Sequence, residues 1–292
     1  MKIEGELREA DLSGLELIGE GGNSSVYRLD PDRVIKVFHP DCPLDMVEYE
    51  SRQSREAYLA GVPCAASYGM VRVGERYGII YEMLGKKDML TLMAEDREHL
   101  RDYMERFAEQ VRRMHTREVR PGSLPDTKRV FEGYLKRLEG RLCTAEEIAR
   151  LQRVLEMIPD RTTFIHGDCH PGNVMMKNGR PVFVDVSSCG YGHPIFDLVG
   201  MCSIYLFAAG DEDRRRKLPV TRDFSGEECR MIWEVFLRSY LQMDDQALLE
   251  HAEPEELVWR VRDAVNRFVD GAPQFDDLTM LCLKYRGNGS AA

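Results

Sequence analysis

A glycine-rich segment near the amino terminus has the residue types needed to hold phosphate groups. It runs Gly19-Glu20-Gly21-Gly22-Asn23-Ser24, close to the pattern G-x-G-x-x-G, with Ser24 in the place of the third glycine. Glycines let backbone N–H groups approach phosphate oxygens without a side-chain clash. A dinucleotide-binding loop opens into a helix, but Val26-Tyr27-Arg28-Leu29 is typical of a strand. We therefore predict a loop between two strands, and a hairpin without a ligand explains this segment equally well.

A single lysine, Lys36, lies inside the next apolar stretch, Val34-Ile35-Lys36-Val37-Phe38. Burying an ammonium group among apolar neighbours is costly unless the group is paired. Two interpretations stay open from these residues alone. The lysine is either buried and paired with a carboxylate, or it lies on an edge strand and points to solvent.

The most specific feature is the polar block His166-Gly167-Asp168-Cys169-His170-Pro171-Gly172-Asn173, followed twelve residues later by Asp185. The pattern H-x-D-x-x-x-x-N before a hairpin that ends in Asp resembles the catalytic and metal-binding segment of the aminoglycoside phosphotransferase and choline kinase family. The glycine-rich loop, the strand lysine, the block and the final aspartate follow the family's order over approximately residues 15–200. A polar turn beside a hairpin is the competing interpretation of the block.

The resemblance implies a two-lobed α+β fold of the protein-kinase-like class. Residues 1–84 would form a small antiparallel β-sheet lobe that binds the nucleotide, and residues 85–292 a larger, mainly helical lobe for catalysis and acceptor binding. Glu82 and Met83 would form the hinge, where backbone groups meet the adenine edge. A generic turn at a strand end is the alternative for these two residues.

The resemblance also implies cofactors and roles. ATP or GTP would donate the phosphoryl group, and its phosphates would lie under the loop that contains Gly19, Gly21, Gly22 and Ser24. Asp168 would accept or orient the proton of the attacking hydroxyl group, while Asn173 and Asp185 would supply oxygen ligands to Mg²⁺. Lys36 would contact the α- and β-phosphates. A helix glutamate would hold this lysine, with Glu50 favoured over Glu56.

Three polar residues near the block are interpreted as supports of the catalytic loop. The family has residues that hydrogen-bond the loop backbone at the places of His166 and Asp197, and Asp197 also fits the cap of a helix that begins near Leu198. His170 is interpreted as bracing the loop and not as transferring a proton. Cys169 has no separate base to activate it, so we interpret it as a packed thiol.

Departures from protein kinases bear on the acceptor. Gly167 and not arginine precedes Asp168, and only eleven residues lie between Asp185 and Asp197, without an Ala-Pro-Glu segment after them. We therefore expect an ATP-dependent phosphotransferase that acts on a hydroxyl group of a small molecule. The alternatives are a nucleotide-binding pseudokinase or regulatory protein, which Ser24 favours and the complete set of motif residues disfavours, and a protein serine/threonine kinase.

Composition limits the partners. The 292 residues include 40 Lys+Arg and 50 Asp+Glu, a net charge of -10, which argues against a nucleic-acid groove. The longest apolar run, residues 198–210, has 13 residues and predicts a buried helix, because a bilayer span needs about 20. We therefore expect no membrane segment. The eight cysteines show no C-x-x-C spacing and predict reduced thiols in a cytoplasmic protein. No feature of the sequence predicts the oligomeric state.

The acidic excess is compatible with an amine-bearing acceptor, such as an aminoglycoside or a choline-like compound. Residues 211–263 contain 14 acidic and 9 basic side chains, although solvated helix faces explain such a count equally well. Trp233, Tyr240 and Trp259 have the types for an aromatic cage around a quaternary amine. Their helical spacing favours a place in the core instead.

The last part of the chain carries a second, shorter resemblance. Residues 258–286 are similar to the final helix and strand of metal-dependent serine/threonine phosphatases of the sporulation-regulator type, in which paired aspartates hold metal. Asp276 and Asp277 occupy those places. The match covers under 30 residues and the other ligands have no counterpart, so we predict a fusion remnant or a chance match without phosphatase activity.

Short strands and then helices must position these side chains. Alternation and turn residues predict an antiparallel meander of three strands over residues 15–18, 26–29 and 34–38. A helix is predicted over residues 45–60 and a further strand over residues 77–81. From Leu100 to Met114 the apolar residues follow the period of an amphipathic helix. Capping boxes at Thr144–Glu147 and Ser225–Glu228 predict two helix starts. Between them, Asn178-Gly179 predicts a two-residue hairpin turn.

Overall fold

A computed structural model of the chain describes residues 7–138, 140 and 144–242. The hypotheses on Trp259 and on the phosphatase-like stretch 258–286 lie outside the described residues. The chain divides into two compact units. One comprises Met1–Met89 and Pro171–Cys189, and the other comprises Leu90–His170 and Gly190–Ala292. The boundary after residue 84 stays a prediction.

The first unit contains a five-stranded antiparallel sheet. Its strands are β1 (Glu16–Glu20), β2 (Ser24–Arg28), β3 (Arg33–Phe38), β4 (Ser67–Val73) and β5 (Arg76–Glu82), in the order β1-β2-β3-β5-β4. The predicted meander is confirmed, but β4 was not predicted. A register shift between Ser67 and Gly69, where Gly69 has a φ of +104°, interrupts the alternation that marks a strand.

Alternation along β3 decides which way Lys36 faces. Ile35 and Val37 pack with Val71 and Val73 of β4 on one side of the sheet. Phe38 packs with Val47 on the other side, where helix α1 (Leu44–Leu59) lies. Because side chains alternate along a strand, Lys36 shares the side of Phe38 and faces α1.

A hairpin completes the first unit. Strands β7 (Val174–Lys177) and β8 (Arg180–Phe183) pair antiparallel, as predicted. Asn178 and Gly179 both have positive φ, 51° and 76°, which a two-residue hairpin turn of this hand requires. Short 3₁₀ turns precede and follow the hairpin at Pro171–Asn173 and Val186–Ser188.

The second unit is mainly helical, as the predicted fold class requires. Its helices are α2 (Met89–Glu95, whose first residue belongs to the other unit), α3 (Leu100–Met114), α4 (Thr127–Leu138), α5 (Ala145–Met157), α6 (Ile195–Met201), α7 (Phe207–Gly210), α8 (Glu212–Lys217) and α9 (Gly226–Leu241). Both predicted capping boxes are formed, at the starts of α5 and α9. A two-stranded ladder joins β6 (Phe164–Ile165) to β9 (Gly190–Tyr191).

The core position favoured for Trp233 and Tyr240 is confirmed, and the helix predicted from residue 198 is present with one irregular turn. Trp233 and Tyr240 are 2% and 0% exposed and pack with Phe236 on α9, so they are core residues and not a cage for an amine. The apolar run from residue 198 continues α6 through a π-helical turn, Cys202–Leu206, into α7.

The predicted cap of α6 was wrong, because the helix begins earlier than expected. Its N-cap is Pro194, and Asp197 lies inside the first turn. His193 Nδ1 instead accepts a hydrogen bond of 3.1 Å from the backbone N–H of Ile195. The Asp197 carboxylate is therefore not used as the helix cap and can contact another segment of the unit.

The buried His193 predicts a pH dependence of stability. Burial lowers its pKa to about 4. Between pH ~6.5 and ~4 the unfolded chain binds a proton that the folded chain does not, so the free energy of unfolding falls as the pH drops. The loss reaches at most about 1.4 kcal/mol per pH unit. Denaturant titrations should show a shallower dependence in His193→Asn, which keeps an acceptor for Ile195; equal slopes in both proteins contradict the prediction.

None of the helices that the structure describes has the length and apolar character needed to cross a membrane.

Candidate active site

The glycine-rich loop is the tight connection between β1 and β2. The backbone N–H of Gly21 donates to the carbonyl oxygen of Ser24 over 2.8 Å, and the two strands pair antiparallel on either side. A Cβ atom added at Gly22 meets no heavy atom within 4 Å. Packing within the protein therefore does not require a glycine at this position. The space next to the loop is open to a ligand.

A cavity of about 450 Å³ lies in the first unit, next to this loop. All ten residues predicted to bind nucleotide or metal line it: Gly19, Gly21, Gly22, Ser24, Lys36, Glu50, Glu82, Met83, Asn173 and Asp185. The structure thus brings together residues that are up to 166 positions apart in the sequence, from Gly19 to Asp185. Apolar residues that sequence reasoning missed form part of the wall, among them Val34, Met175 and Phe183.

Lys36 is buried and paired. Its Nζ lies 2.7 Å from Glu50 Oε1 and 3.4 Å from Asp185 Oδ1, and its side chain is 14% exposed. The interpretation as an edge lysine in solvent was therefore wrong. Burial acts to lower the pKa of Lys36, but the two carboxylates outweigh it and hold the pKa above its usual range.

Glu50 is the glutamate of α1 that contacts this lysine. Its side chain is 8% exposed, and burial raises the pKa of its carboxyl group, against the opposing attraction of Lys36. The raised pKa of Lys36 keeps its ammonium group protonated at neutral pH. One fixed positive charge therefore lies at the cavity wall, and phosphate oxygens are its natural ligands.

Asp185 and Asn173 form the oxygen-rich side of the cavity. The backbone of Asp185 is left-handed, with φ 53° and ψ 55°, a conformation that costs a non-glycine residue about 1 kcal/mol or more. The hydroxyl group of Ser187 donates to its carboxylate over 3.0 Å, which helps to hold that conformation. The N–H of Val184 donates to the carbonyl of Asn173 over 2.9 Å and ties the two residues' segments together.

These two side chains fit a magnesium site shared with a nucleotide. In the described ranges no group of three or more His, Cys, Asp and Glu side chains is placed to hold a metal ion by itself. Mg²⁺ takes oxygen ligands, and in nucleotide sites one or two protein groups suffice because phosphates and water complete the shell. A carboxylate and an amide lining one cavity with Lys36 match that donor set.

The backbone N–H groups of the predicted hinge residues, Glu82 and Met83, form hydrogen bonds within the protein. The N–H of Glu82 donates to Ala66 over 2.9 Å, and the N–H of Met83 donates to Asp32 over 2.8 Å. The Glu82 carboxylate forms an ion pair with Lys177. Both N–H groups are thus already used, so only the carbonyl oxygens of these residues remain for an adenine edge.

The predicted catalytic block and its supports belong to the second unit up to His170. Asp197 is buried, and its carboxylate accepts hydrogen bonds of 2.8 Å from the backbone N–H groups of His166 and Gly167. His166 is fully buried, and its Nδ1 accepts from the N–H of Asp168 at 3.3 Å. Both supports thus contact the loop backbone directly.

A further support, His115, was missed by sequence reasoning. It follows α3, is buried, and donates from Nε2 to Asp197 over 3.0 Å. Its Nδ1 accepts from the hydroxyl group of Tyr240 at 2.7 Å. The tautomer follows from this chain of hydrogen bonds. Since 82 positions separate His115 from Asp197, local pattern gave no signal for the contact.

Asp168 presents its carboxylate at the surface of the second unit, with 54% of the side chain exposed. His170 Nε2 lies 3.6 Å from Asp168 Oδ1, close enough to orient it. Gly167 has a φ of 80°, which a β-carbon would strain, and this explains why glycine stands before the aspartate. Cys169 is buried, and burial raises the pKa of its thiol well above the usual range, as a packed, unreactive side chain requires.

Comparisons with known proteins agree with this architecture. The model of the phosphotransferase enzyme family matches residues 14–231. A choline/ethanolamine kinase family protein from Mesorhizobium loti superposes with a TM-score of 0.52 at 16% identity, over 93% of this chain and 87% of that one. An aminoglycoside-3'-phosphotransferase of type VIII superposes with a TM-score of 0.50 at 19% identity, over 86% and 93%. Comparison with curated proteins by sequence gives no match.

The family match covers more than half of the chain, and the two superpositions show the same fold. The chain belongs to the phosphotransferase enzyme family. It is therefore a phosphotransferase.

Proposed function

We propose that the 450 Å³ cavity of the first unit binds the nucleotide and that Asp168 serves the acceptor hydroxyl group. The observation that carries the proposal is the single cavity shared by the glycine-rich loop, the Lys36–Glu50 pair, Asn173 and Asp185. Each member supplies a function that phosphoryl transfer needs, because this reaction depends on positioning and charge neutralisation.

The adenine ring fits between the apolar side chains of the cavity wall, such as Val34 and Phe183. Because the N–H groups of Glu82 and Met83 are used within the protein, Leu84, which also lines the cavity, would offer the next backbone N–H to the ring. The carbonyl of Glu82 would accept from the adenine amino group. The phosphates then extend toward Gly22 and Lys36.

Asn173 and Asp185 would hold Mg²⁺ against the nucleotide phosphates. Bound Mg²⁺ would neutralise charge on the phosphate oxygens and so favour transfer of the terminal phosphoryl group. The left-handed backbone of Asp185 supports this role, because a strained residue retained in a cavity points to a functional constraint. Lys36 connects the α1 side of the cavity with the Asp185 side, since its Nζ contacts the carboxylates of both Glu50 and Asp185.

Asp168 would accept or orient the proton of the acceptor. Its exposed carboxylate is accessible to a substrate, and the buried Asp197 holds the backbone that carries it. His170 orients the carboxylate and transfers no proton in this proposal. Five positions separate Asp168 from Asn173, so one short segment serves both the acceptor and the metal.

We infer an amine-bearing alcohol as the acceptor, of the aminoglycoside or choline-like type. The short segment between Asp185 and Asp197 leaves little room for a peptide. The acidic excess noted for residues 211–263 falls on 243–263, outside the described residues, since 211–242 contain 7 acidic and 7 basic side chains. We propose a place in the cytoplasm, since none of the six described cysteines forms a disulfide.

The direct test measures ADP formation from ATP and Mg²⁺ against aminoglycosides, choline-like amines, sugars, homoserine and nucleosides, with GTP as a parallel donor. We expect turnover above the rate without acceptor for at least one amine-bearing alcohol. Turnover only with neutral sugars or nucleosides contradicts the inferred acceptor. Nucleotide binding in a thermal-shift assay without any turnover contradicts the catalytic role of Asp168.

Replacing Asp185 by asparagine is expected to remove the effect of Mg²⁺ on nucleotide binding and to lower kcat about 100-fold or more, because a neutral amide is a weaker ligand than a carboxylate. Lys36 keeps Glu50 as its partner, so the fold persists. Calorimetric titration of ATP with and without Mg²⁺ measures the effect. Glu20→Gln removes another carboxylate that lines the same cavity and is the matched control. A Mg²⁺ dependence retained by the Asp185 variant excludes this ligand.

A further inference from the structure

The hydroxyl group of Tyr81 contacts the ion pair beside the nucleotide cavity. Tyr81 lies opposite Val34 in the pairing of β5 with β3, so its side chain is on the face of the sheet that Lys36 also shares. Its oxygen lies 3.3 Å from Glu50 Oε1 and 3.0 Å from Ser54 Oγ. Tyr81, Glu50 and Ser54 all line the cavity.

The directions of these hydrogen bonds follow from the groups present. A carboxylate only accepts, so Tyr81 must be the donor toward Glu50. Ser54 Oγ also lies 3.0 Å from the carbonyl oxygen of Glu50, one turn earlier in α1, and donates there or to Tyr81. Glu50 Oε1 therefore receives Lys36 and Tyr81 at the same atom.

The helix that carries Glu50 is also tied at a second point. Gln53 is buried and donates from Nε2 to the carbonyl oxygen of Cys189 over 2.8 Å. Cys189 follows the 3₁₀ turn that begins after Asp185. The Gln53 contact positions the backbone of α1, whereas Tyr81, like Lys36, acts from the sheet on the Glu50 carboxylate itself.

We propose that Tyr81 is a positioning residue for phosphoryl transfer, whose hydroxyl group holds Glu50 in the conformer that keeps Lys36 directed to the phosphates. The proposal rests on the proposed function of the cavity. Without the hydroxyl group, Glu50 Oε1 keeps one fixed donor, and the long glutamate side chain regains rotamers that break the pair. Lys36 then shifts toward its second partner, Asp185, which lies 3.4 Å away.

The expected result for Tyr81→Phe is a loss in kcat of about tenfold, the size typical of one hydrogen bond to a charged group, with the KM for ATP changed less than about twofold. The ring remains, so packing is preserved. A merely structural role would lower the melting temperature without this separation of kcat from KM. Tyr58→Phe, at an exposed tyrosine of α1, is the matched control and should change neither constant.

A double-mutant cycle tests whether Tyr81 acts through Glu50. In a Glu50→Gln background the phenylalanine substitution should have little further effect on kcat, because the carboxylate that Tyr81 positions is gone. Additive losses in the double variant overturn the assignment. Ser54→Ala should lower kcat less than Tyr81→Phe, since Ser54 contacts Glu50 only through its backbone carbonyl.

The proposal also has a test that needs no acceptor. In a crystal structure of Tyr81→Phe the Lys36–Glu50 distance should exceed about 4 Å, the limit of an ion pair, against 2.7 Å in the parent. A pair kept at its original distance overturns the positioning role. The two proposals fail separately: turnover that survives in Asp168→Asn contradicts the proposed function, whereas an inactive Asp168→Asn beside a fully active Tyr81→Phe contradicts only the role of Tyr81.

Discussion

Replacing Asp168 by asparagine is expected to lower kcat about 10²- to 10⁴-fold, the usual contribution of a positioned general base. The amide keeps the size of the side chain but has almost no affinity for the acceptor's proton. More than half of the side chain is exposed, so the melting temperature should change by little. Nucleotide affinity should persist, because the predicted nucleotide ligands line the cavity of the other unit.

The measurement is steady-state ADP formation with the acceptor found by screening, together with ATP titration of the purified variant. His170→Gln is the control, since His170 lies 3.6 Å from the Asp168 carboxylate and only orients it; its kcat should fall by much less. If His170→Gln is as impaired as Asp168→Asn, the histidine takes part in proton transfer. If Asp168→Asn retains near-normal kcat, the base lies elsewhere.

Many of the local elements were predictable because each depends on a short segment of sequence. The Asn178-Gly179 turn, the strand around Lys36 and the two capping boxes depend on neighbours within a few positions, and all are present. The strand preference of the residues after the glycine-rich loop also distinguishes a loop between two strands from a loop that opens into a helix. Such features require no knowledge of the rest of the fold.

The parts that were missed depend on contacts between distant segments. The His115–Asp197 hydrogen bond and the use of the Met83 N–H by Asp32 arise only when the chain is packed. The strand β4 is concealed by the glycine and the register shift at its start. Trp233 shows that helical spacing is the better guide for an aromatic residue, because it fills the core as its spacing favoured.

Asp197→Asn is expected to affect stability and catalysis together, unlike Asp168→Asn. The buried carboxylate accepts from three donors, the N–H groups of His166 and Gly167 and the Nε2 of His115. An asparagine at this position turns an NH₂ group toward one of them, so at least one buried donor loses its acceptor. One such donor costs about 1–3 kcal/mol of unfolding free energy.

The loss of activity should exceed what unfolding alone explains. Asp197 holds the backbone just before Asp168, and a displacement of this loop by a fraction of an ångström misaligns the proton acceptor. Urea titration gives the stability, and kcat is measured at a temperature where the variant is folded. Asp160→Asn is the control, because Asp160 is 89% exposed and its pair with Lys128 is a surface contact worth under about 1 kcal/mol. A variant of Asp197 that is destabilised but has normal kcat would show that the anchor maintains the fold without positioning the loop.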